Sequence, residues 1–224
     1  MSQPNLKPLF KSLNLTKRQK YCVAVSALYA VGLRNHGNTV LEKAIRRDRI
    51  PPHLFSELFI HLSLFLGFPT MLEGLERLKT ISGSKITASK SRISLGSSGN
   101  GMKIFREIYG DQAKKVLLNL KGLHSDMIRW VIRDAYGKIF TRGGMSLGER
   151  ELVNVVVLAI QGFAPQLFSH LRGALRVGIS SRGIIDTLNC IASCSRTEQR
   201  ASLRMLGQIT RMRRTEKRSI DSQR

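Results

Sequence analysis

The chain has 224 residues, 42% of them hydrophobic, so it is long enough to bury a core of its own. Its longest apolar runs, such as residues 155–160, are far shorter than the ~20 residues of a membrane-spanning helix. The first residues also lack the apolar core and cleavage site of a secretory signal. We therefore expect a cytoplasmic protein without a membrane span.

The formal net charge of +22 allows several interpretations. Clustered Lys and Arg side chains can release counterions from a nucleic acid, and the densest cluster lies at residues 211–218. However, basic residues occur along the whole chain, without zinc-finger spacing or an aromatic RNA-binding signature. A solvated basic surface with a frayed tail is favoured. Nucleic-acid binding and weak adhesion to a polyanion or a membrane surface remain open.

The chain contains what looks like one helical unit twice. Residues 15–46 can be laid over residues 145–176 at a constant offset of 130 residues, without a gap. Seven positions are then identical: Val23/Val153, Val25/Val155, Leu28/Leu158, Gly32/Gly162, Leu41/Leu171, Ala44/Ala174 and Arg46/Arg176. Each copy opens with a capping box, Thr16 with Gln19 and Ser146 with Glu149, which predicts a helix start.

Helical patterns follow one another along nearly the whole sequence. Predicted helices cover residues 16–32, 39–48, from 51–52 to 67–69, 70–79, 102–120, 124–140, 147–161, 165–177, 181–195 and 198–213. The valines between residues 153 and 157 favour a strand by propensity, but the capping box before them argues for a helix. No segment alternates with period two between hairpin turns, so the predicted fold class is all-α.

These patterns divide the chain into four parts. They are a degenerate first repeat (1–79), a Ser/Gly-rich linker (80–101), a second repeat with lead-in helices (102–210) and a basic tail (211–224).

The second copy resembles the carboxymuconolactone decarboxylase family, related to alkylhydroperoxidase D. The resemblance rests on residues 145–152 (MSLGEREL) and 166–175 (QLFSHLRGAL), with moderate counterparts in the first copy at residues 15–19 and 57–69. Residues 130–138 look like the segment that precedes the second copy in tandem members. The resemblance covers about residues 10–205.

The resemblance implies a compact all-α fold that assembles into trimers or hexamers. One branch of the family decarboxylates a carboxylated lactone without a cofactor. The alkylhydroperoxidase D branch uses a Cys-x-x-Cys pair followed by a His, with an upstream Glu that relays protons. On this chain the His is His170 and the Glu is Glu151, whereas the cysteine positions hold Phe163 and Gln166. The redox pair is therefore absent.

Glu151 and His170 would form a sensible acid/base couple, because a carboxylate that accepts from one ring nitrogen raises the basicity of the other. Counted from a turn at residues 162–165, however, Glu151 lies ~16 Å back along its helix and His170 only ~8 Å forward. The two side chains meet only if the helices cross. The alternative is structural: a Glu that favours a helix N-terminus and a His packed at an interface.

Decarboxylation also needs a cation near the substrate carboxylate and a proton donor. Gln166, Arg172 and His61 are the candidate substrate-binding residues by proximity in the resemblance. His61 also fits a buried core histidine, because it lies on an apolar face. Cys190 and Cys194, four residues apart, fit small buried hydrophobes better than a redox or metal pair. We expect no cofactor and no metal.

Three functions remain open, and whether the protein is an enzyme is left undecided. The favoured one is a cofactor-independent acid/base lyase acting on a small carboxylated lactone-type substrate. A peroxiredoxin-type antioxidant activity is disfavoured because the cysteine pair is absent. A non-catalytic helical oligomer with a basic partner-binding surface is the third. In each case a homo-oligomer is expected, with a trimer favoured.

Overall fold

Both predicted capping boxes are present, and each starts a central helix. The computed structural model describes residues 3–83 and 98–221. In the first box, the Thr16 side chain accepts from the Gln19 backbone N–H at 3.2 Å, and the Gln19 side chain accepts from the Thr16 backbone N–H at 2.8 Å. Ser146 and Glu149 form the same pair of bonds at 3.2 and 2.8 Å. Two orphan N–H groups at each helix start are thereby satisfied.

The described residues are helical and contain no strand, which confirms the all-α fold class. The helices are α1 (Leu6–Lys11), α2 (Lys17–Ala30), α3 (Arg34–Glu42), α4 (Pro52–Ser82), α5 (Ser98–Tyr109), α6 (Ala113–Leu123), α7 (Met127–Arg129), α8 (Leu147–Gln161), α9 (Ala164–Arg176), α10 (Ser181–Asn189) and α11 (Arg196–Asp221). A π-helical turn (Lys43–Arg47) extends α3, a 3₁₀ turn (Gly110–Gln112) joins α5 to α6, and a π-helix (Trp130–Phe140) continues α7.

Helices α2 and α8 pack against each other at the centre of the main core. Every residue from Tyr21 to Tyr29 in α2 and from Gly148 to Ile160 in α8 is buried. The valines of α8 are therefore helical, as predicted, because a helix buried on all sides can be apolar all round. Helices from both predicted repeats contribute to this one core, and a smaller cluster around Phe105 and Tyr136 packs α5 against the π-helix.

The two central helices are also joined at their first turns. Nε of Arg18 donates to Glu149 Oε1 at 2.7 Å, and Nη2 of Arg18 donates to the Gly144 carbonyl at 2.7 Å. Glu149 thus caps α8 and holds α2 with the same carboxylate. The helix starts of α2 and α8 differ by the predicted offset, but the duplication itself remains a prediction.

Some predicted boundaries were wrong. Helix α3 begins at Arg34 rather than at residue 39. It therefore includes Gly37, where an added Cβ would lie 2.7 Å from the Tyr29 ring. The predicted helix 102–120 is interrupted at Gly110, whose φ of 53° ends α5. Helix α11 continues to Asp221, so the tail is helical there rather than frayed. Within the predicted linker, residues 84–97 lie outside the described residues, and α5 already begins at Ser98.

Helix α4 is long and apolar enough to cross a membrane by length and composition, although the sequence predicts no membrane span from its short apolar runs. Gly67 interrupts it with φ 77° and ψ 171°, as predicted for the turn at residues 67–69. The two pieces, residues 52–66 and 68–82, are each shorter than the ~20 residues that a span needs. The first piece also buries Glu57 and His61 in the protein core. The first piece is therefore part of the protein core, whereas the second piece exposes Phe68 and Leu72.

Candidate active site

Glu151 on α8 and His170 on α9 are in hydrogen-bond contact. Nδ1 of His170 lies 3.0 Å from Glu151 Oε2 and 3.2 Å from Oε1. The close approach depends on Gly173, one turn after His170 on α9. A Cβ at that position would lie 2.5 Å from Glu151 Oε2 and 2.8 Å from the Ile108 side chain. The helices therefore meet at the carboxylate because this residue has no side chain.

The carboxylate of Glu151 is continuous with a line of buried polar side chains. Nδ2 of Asn154 donates to Glu151 Oε1 at 3.0 Å, and Oδ1 of Asn154 lies 2.7 Å from Nε2 of His61. The other ring nitrogen of His61, Nδ1, lies 3.3 Å from Nη1 of Arg150. Glu151, Asn154, His61 and Arg150 are all fully buried. The line thus crosses from α8 to α4 and back to α8.

An ion pair ends this line at the far side. Glu57 accepts from Arg142 with both carboxylate oxygens, at 2.7 and 2.8 Å, a bidentate geometry. Nη2 of Arg150 lies 3.8 Å from Glu57 Oε2 and donates to the Arg142 carbonyl at 2.9 Å. A single fully buried carboxylate therefore stands between two guanidinium groups.

Burial shifts the pKa values along this line. It lowers the pKa of His61 to about 3, helped by the positive charge of Arg150, so the imidazole is neutral at physiological pH. It also lowers the pKa of Arg150 to about 10, an effect that the negative charge of Glu57 opposes. At neutral pH Arg150 is still a cation, and His61 is not.

A pocket of about 350 Å³ lies beside this couple, between the α5–α6 corner and α9. Its lining is Ile108, Tyr109, Gln112, Lys115, Val116, Asn119, Pro165, Phe168, Ser169 and Arg172. The lining carries two cationic side chains and no acidic one, and its volume suits a small ligand. His170 is not itself in the lining. It lies next to Tyr109, whose ring centroid is 6.2 Å from the imidazole.

Arg176 fixes the corner that forms one wall of this pocket. Its guanidinium lies against Gly110, where an added Cβ would be 2.3 Å from Cζ, and Nη1 donates to the Ile108 carbonyl at 3.4 Å. The α5–α6 corner is thereby attached to α9. Burial raises the pKa of Tyr109, which lines the pocket, and that of Tyr136, and the charge of Glu151 acts in the same direction.

The predicted site residues have different places in the structure. Glu151 and His170 are brought together, and Arg172 lines the pocket. His61 is a buried residue of the polar line and does not line the pocket, whereas Gln166 is exposed and outside the lining. Which of them act on a substrate remains a prediction.

Sequence reasoning missed five residues around the couple: Glu57, Tyr109, Lys115, Arg150 and Asn154. Asn154 had a usable signal, since it interrupts the apolar run of α8 four residues after Arg150. Glu57 and His61 likewise stand four apart on an apolar helix. Tyr109 and Lys115 gave no signal, because only the corner at Gly110 brings them to the pocket.

The other candidate chemistry has a different environment. Cys190 is fully buried and burial raises its pKa, while Cys194 is partly buried. A buried thiol of raised pKa carries little of the reactive thiolate. Among the described residues, no group of three or more His, Cys, Asp and Glu side chains is arranged to hold a metal ion.

Comparison with known proteins supports the resemblance for the second half of the chain. Residues 128–206 match the sequence model of the Carboxymuconolactone decarboxylase family. The 4-carboxymuconolactone decarboxylase of Acinetobacter baylyi is 24% identical over 111 residues, 49% of this chain and 83% of the relative. The matched family segment contains Glu151 and His170 but not His61, Tyr109 or Lys115.

Two fungal proteins are also similar to this chain. Peroxisomal protein 2 of Schizosaccharomyces pombe is 23% identical over 183 residues, which is 79% of this chain and 85% of the relative. Peroxisomal protein 2 of Saccharomyces cerevisiae is 32% identical over 80 residues, which is 35% of this chain and 28% of that relative.

Proposed function

We propose that the chain is a carboxymuconolactone decarboxylase-like enzyme, a cofactor-independent acid/base lyase that acts on a small carboxylated lactone-type substrate. One observation carries the proposal: the 3.0 Å contact between His170 Nδ1 and Glu151 Oε2, next to a pocket with two cationic side chains. The similarity of residues 128–206 to the family supports the same conclusion.

In this proposal His170 transfers the proton to the substrate, and Glu151 orients the imidazole of His170. A Glu151 carboxylate that accepts from Nδ1 orients the imidazole of His170 and leaves Nε2 for the substrate. Nε2 has no hydrogen-bond partner among the described residues, and the His170 side chain is still 10% exposed. A proton can therefore be held at, or released from, Nε2.

The pocket supplies the binding chemistry. Arg172 and Lys115 offer positive charge to a carboxylate, and Ile108, Val116 and Phe168 offer apolar surface to a ring. The net charge of +22 would also raise the local concentration of an anionic substrate. Both features favour a small anion over a neutral or cationic ligand.

The reaction balances without an external oxidant or reductant. The bond between the substrate carbon and its carboxylate breaks, CO₂ leaves, and the electron pair stays on carbon, where the lactone carbonyl can delocalise it. His170 then delivers a proton from Nε2 to the carbanion and is reprotonated from water. The cations that bound the carboxylate must not hold it so tightly that CO₂ cannot form.

The test is the release of CO₂ from 4-carboxymuconolactone, the compound in the name of the Acinetobacter relative. We expect turnover by the wild-type protein and a loss of ~10²–10⁴-fold in His170→Gln, the usual cost of losing a proton-transfer group. His36→Gln, which alters an exposed histidine, is the matched control and should retain full activity. Equal rates in His170→Gln and wild type would refute the assignment of His170.

A thiol peroxidase activity of the alkylhydroperoxidase D type is the disfavoured alternative. Phe163 and Gln166 stand where that branch has its cysteines, and burial raises the pKa of Cys190. Peroxide consumption with a dithiol reductant should therefore match buffer alone. Turnover that disappears in Cys194→Ser would favour the peroxidase instead.

A non-catalytic helical oligomer is the second alternative, and the apolar surface of α4 favours it. Phe68 and Leu72, one turn apart, are 70% and 60% exposed. Exposed apolar pairs of this kind are typical of contact surfaces. We expect a homo-oligomer, with a trimer favoured, and light scattering at physiological salt measures its mass. A monomeric mass would contradict the expectation.

The location of the protein in the cell is a separate proposal. A cytoplasmic location was expected from the sequence, whereas two fungal relatives are named as peroxisomal proteins. We infer that the peroxisome is the first alternative location to test. Imaging of the full chain, tagged in turn at either end, against a peroxisomal marker distinguishes the two.

A further inference from the structure

The buried polar line that ends at Glu151 begins at a group that can only donate. Arg150 carries no hydrogen-bond acceptor on its side chain, and its pKa of about 10 keeps it charged at neutral pH. Each remaining member of the line can act in two orientations or two protonation states. A fixed donor at one end therefore sets the direction of every hydrogen bond that follows.

The first consequence concerns His61. Because Nη1 of Arg150 donates at 3.3 Å, Nδ1 of His61 must accept. A neutral imidazole has one acceptor and one donor nitrogen, so the proton of His61 is on Nε2. It points to Asn154 Oδ1, 2.7 Å away.

The second consequence concerns the amide of Asn154. Its oxygen is occupied by the His61 proton, so its Nδ2 faces Glu151 Oε1 at 3.0 Å. In a flipped amide, Nδ2 would face the Nε2–H of His61, donor against donor, and Oδ1 would face Glu151 Oε1, acceptor against acceptor. His61 and the Glu151 carboxylate, which can only accept, therefore require the same orientation of Asn154.

The third consequence concerns the couple itself. Nδ2 of Asn154 lies 3.0 Å from Glu151 Oε1 but also 3.1 Å from Nδ1 of His170. The Glu151 carboxylate can only accept, so Asn154 donates to Oε1 and the Nδ1 proton of His170 is donated to Oε2 at 3.0 Å. The Nδ1 proton therefore remains in the hydrogen bond to Glu151, and Nε2 is the ring nitrogen that exchanges protons.

We propose that Arg150, His61 and Asn154 are positioning residues that commit the Nδ1 proton of His170 to Glu151, so that Nε2 is the only nitrogen that exchanges protons with a substrate. This inference rests on the proposed function for its purpose, but its geometry is independent of any substrate. It makes α4, which lies outside the matched family segment, part of the site.

Stability alone does not explain this arrangement. Replacing a buried ionic group by well-packed apolar residues is often neutral or stabilising, and Nε of Arg150 is buried with no partner among the described residues. The line places four fully buried polar side chains in the middle of the core. They fix the direction of the hydrogen bonds that reach His170, which apolar side chains could not do.

The test uses the full-length protein labelled with ¹⁵N at both histidine ring nitrogens. Long-range ¹H–¹⁵N spectra report which nitrogen carries the proton, and substitution of each histidine assigns its signals. In wild type we expect His61 with its proton on Nε2 at every pH from 5 to 8, and neutral His170 with its proton on Nδ1. His61 protonated on Nδ1, or neutral His170 protonated on Nε2, overturns the proposal without any variant.

A matched pair of variants tests the relay through His61. His61→Gln keeps an acceptor for Arg150 and a donor for Asn154, so it should preserve the His170 tautomer. His61→Leu removes both, so the His170 signals should shift towards a mixture of tautomers. Ser26→Ala, which removes a buried hydroxyl bonded to the Cys22 carbonyl, is the control and should change neither. Unchanged His170 signals in a folded His61→Leu refute the inference.

The same variants separate this inference from the proposed function. With 4-carboxymuconolactone, His61→Leu should lower kcat at unchanged KM, because the pocket lining is untouched, and His61→Gln should restore kcat. If His61 and His170 carry their protons on the predicted nitrogens but 4-carboxymuconolactone is not turned over, the lyase proposal is refuted and the role of the positioning residues is supported. If the compound is turned over but His61 carries its proton on Nδ1, the lyase proposal is supported and the role of the positioning residues is refuted.

Discussion

Replacing Glu57 with glutamine should destabilise the protein more strongly than any surface substitution. The change is nearly isosteric, but it removes the only negative charge between Arg142 and Arg150. The glutamine oxygen can still accept from one N–H of Arg142, whereas its amide group would face the other N–H of the same guanidinium. Arg150, which is fully buried, would lose its nearest counterion and keep only the weaker influence of the Glu149 charge.

The magnitude follows from the geometry of the pair. Two charge-assisted hydrogen bonds at 2.7 and 2.8 Å join Glu57 to Arg142, and such bonds contribute ~1.5–3 kcal/mol each. Glu57 is 0% exposed and Arg142 19%, so water cannot replace what is lost. Removing one partner of a buried pair costs ~3–5 kcal/mol. For a chain of this size that corresponds to a decrease in Tm of roughly 6–20 °C.

Urea unfolding followed by circular dichroism measures the effect, with thermal unfolding as a second readout. Glu42→Gln is the control, since Glu42 pairs with Arg46 and Arg77 at 3.2 Å but is 36% exposed. Such a pair contributes ~0–1 kcal/mol. If Glu57→Gln loses no more stability than Glu42→Gln, Arg142 and Arg150 do not depend on the charge of Glu57.

Gly173, His61 and the three cysteines can each be tested by unfolding or labelling. Gly173→Ala should cost ~1–3 kcal/mol in urea unfolding, because its Cβ would lie 2.5 Å from Glu151 Oε2, while Gly122→Ala, with open space around it, should not. The pKa of His61 is about 3 in the fold against 6.5 in the unfolded chain, so the unfolded state binds the extra proton and stability falls as pH drops below 6.5. Between pH 6.5 and 4.5 the wild type should lose about 2 kcal/mol relative to His61→Gln, and equal slopes in urea unfolding would contradict this. A thiol reagent should label Cys194 in the native protein and leave Cys22 and Cys190 unmodified until urea is added, and native labelling of Cys190 would show that it is accessible.

The fold could be predicted from local signals wherever those signals were complete. Both capping boxes fixed the starts of α2 and α8, and Pro51 with Pro52 marked the start of α4. The boundaries that failed depend on tertiary contacts. Gly37 has the propensity of a loop residue, yet it lies within α3, where the Tyr29 ring leaves no room for a side chain.

The site could be predicted only in part, for a physical reason. Glu151 and His170 stand in the sequence where the resemblance indicates, but their contact needs the close approach that Gly173 permits. Asn154 and His61 are separated by 93 residues, so their hydrogen bond has no local pattern. Lys115 reaches the pocket only because Gly110 turns the chain between α5 and α6.

The bond between Arg18 and Glu149 has a consequence for the rate of folding. All-helical proteins usually fold fast because most of their contacts are local, but this bond closes a loop of 131 residues, and α2 packs on α8 at a similar separation. Closing such a loop costs ~4 kcal/mol of chain entropy before any packing is gained. The capping box forms within one turn, so it can hold the Glu149 carboxylate in place before Arg18 arrives. Docking of the two central helices should therefore limit the folding rate, and the chain should fold more slowly than a helical protein whose contacts are all local.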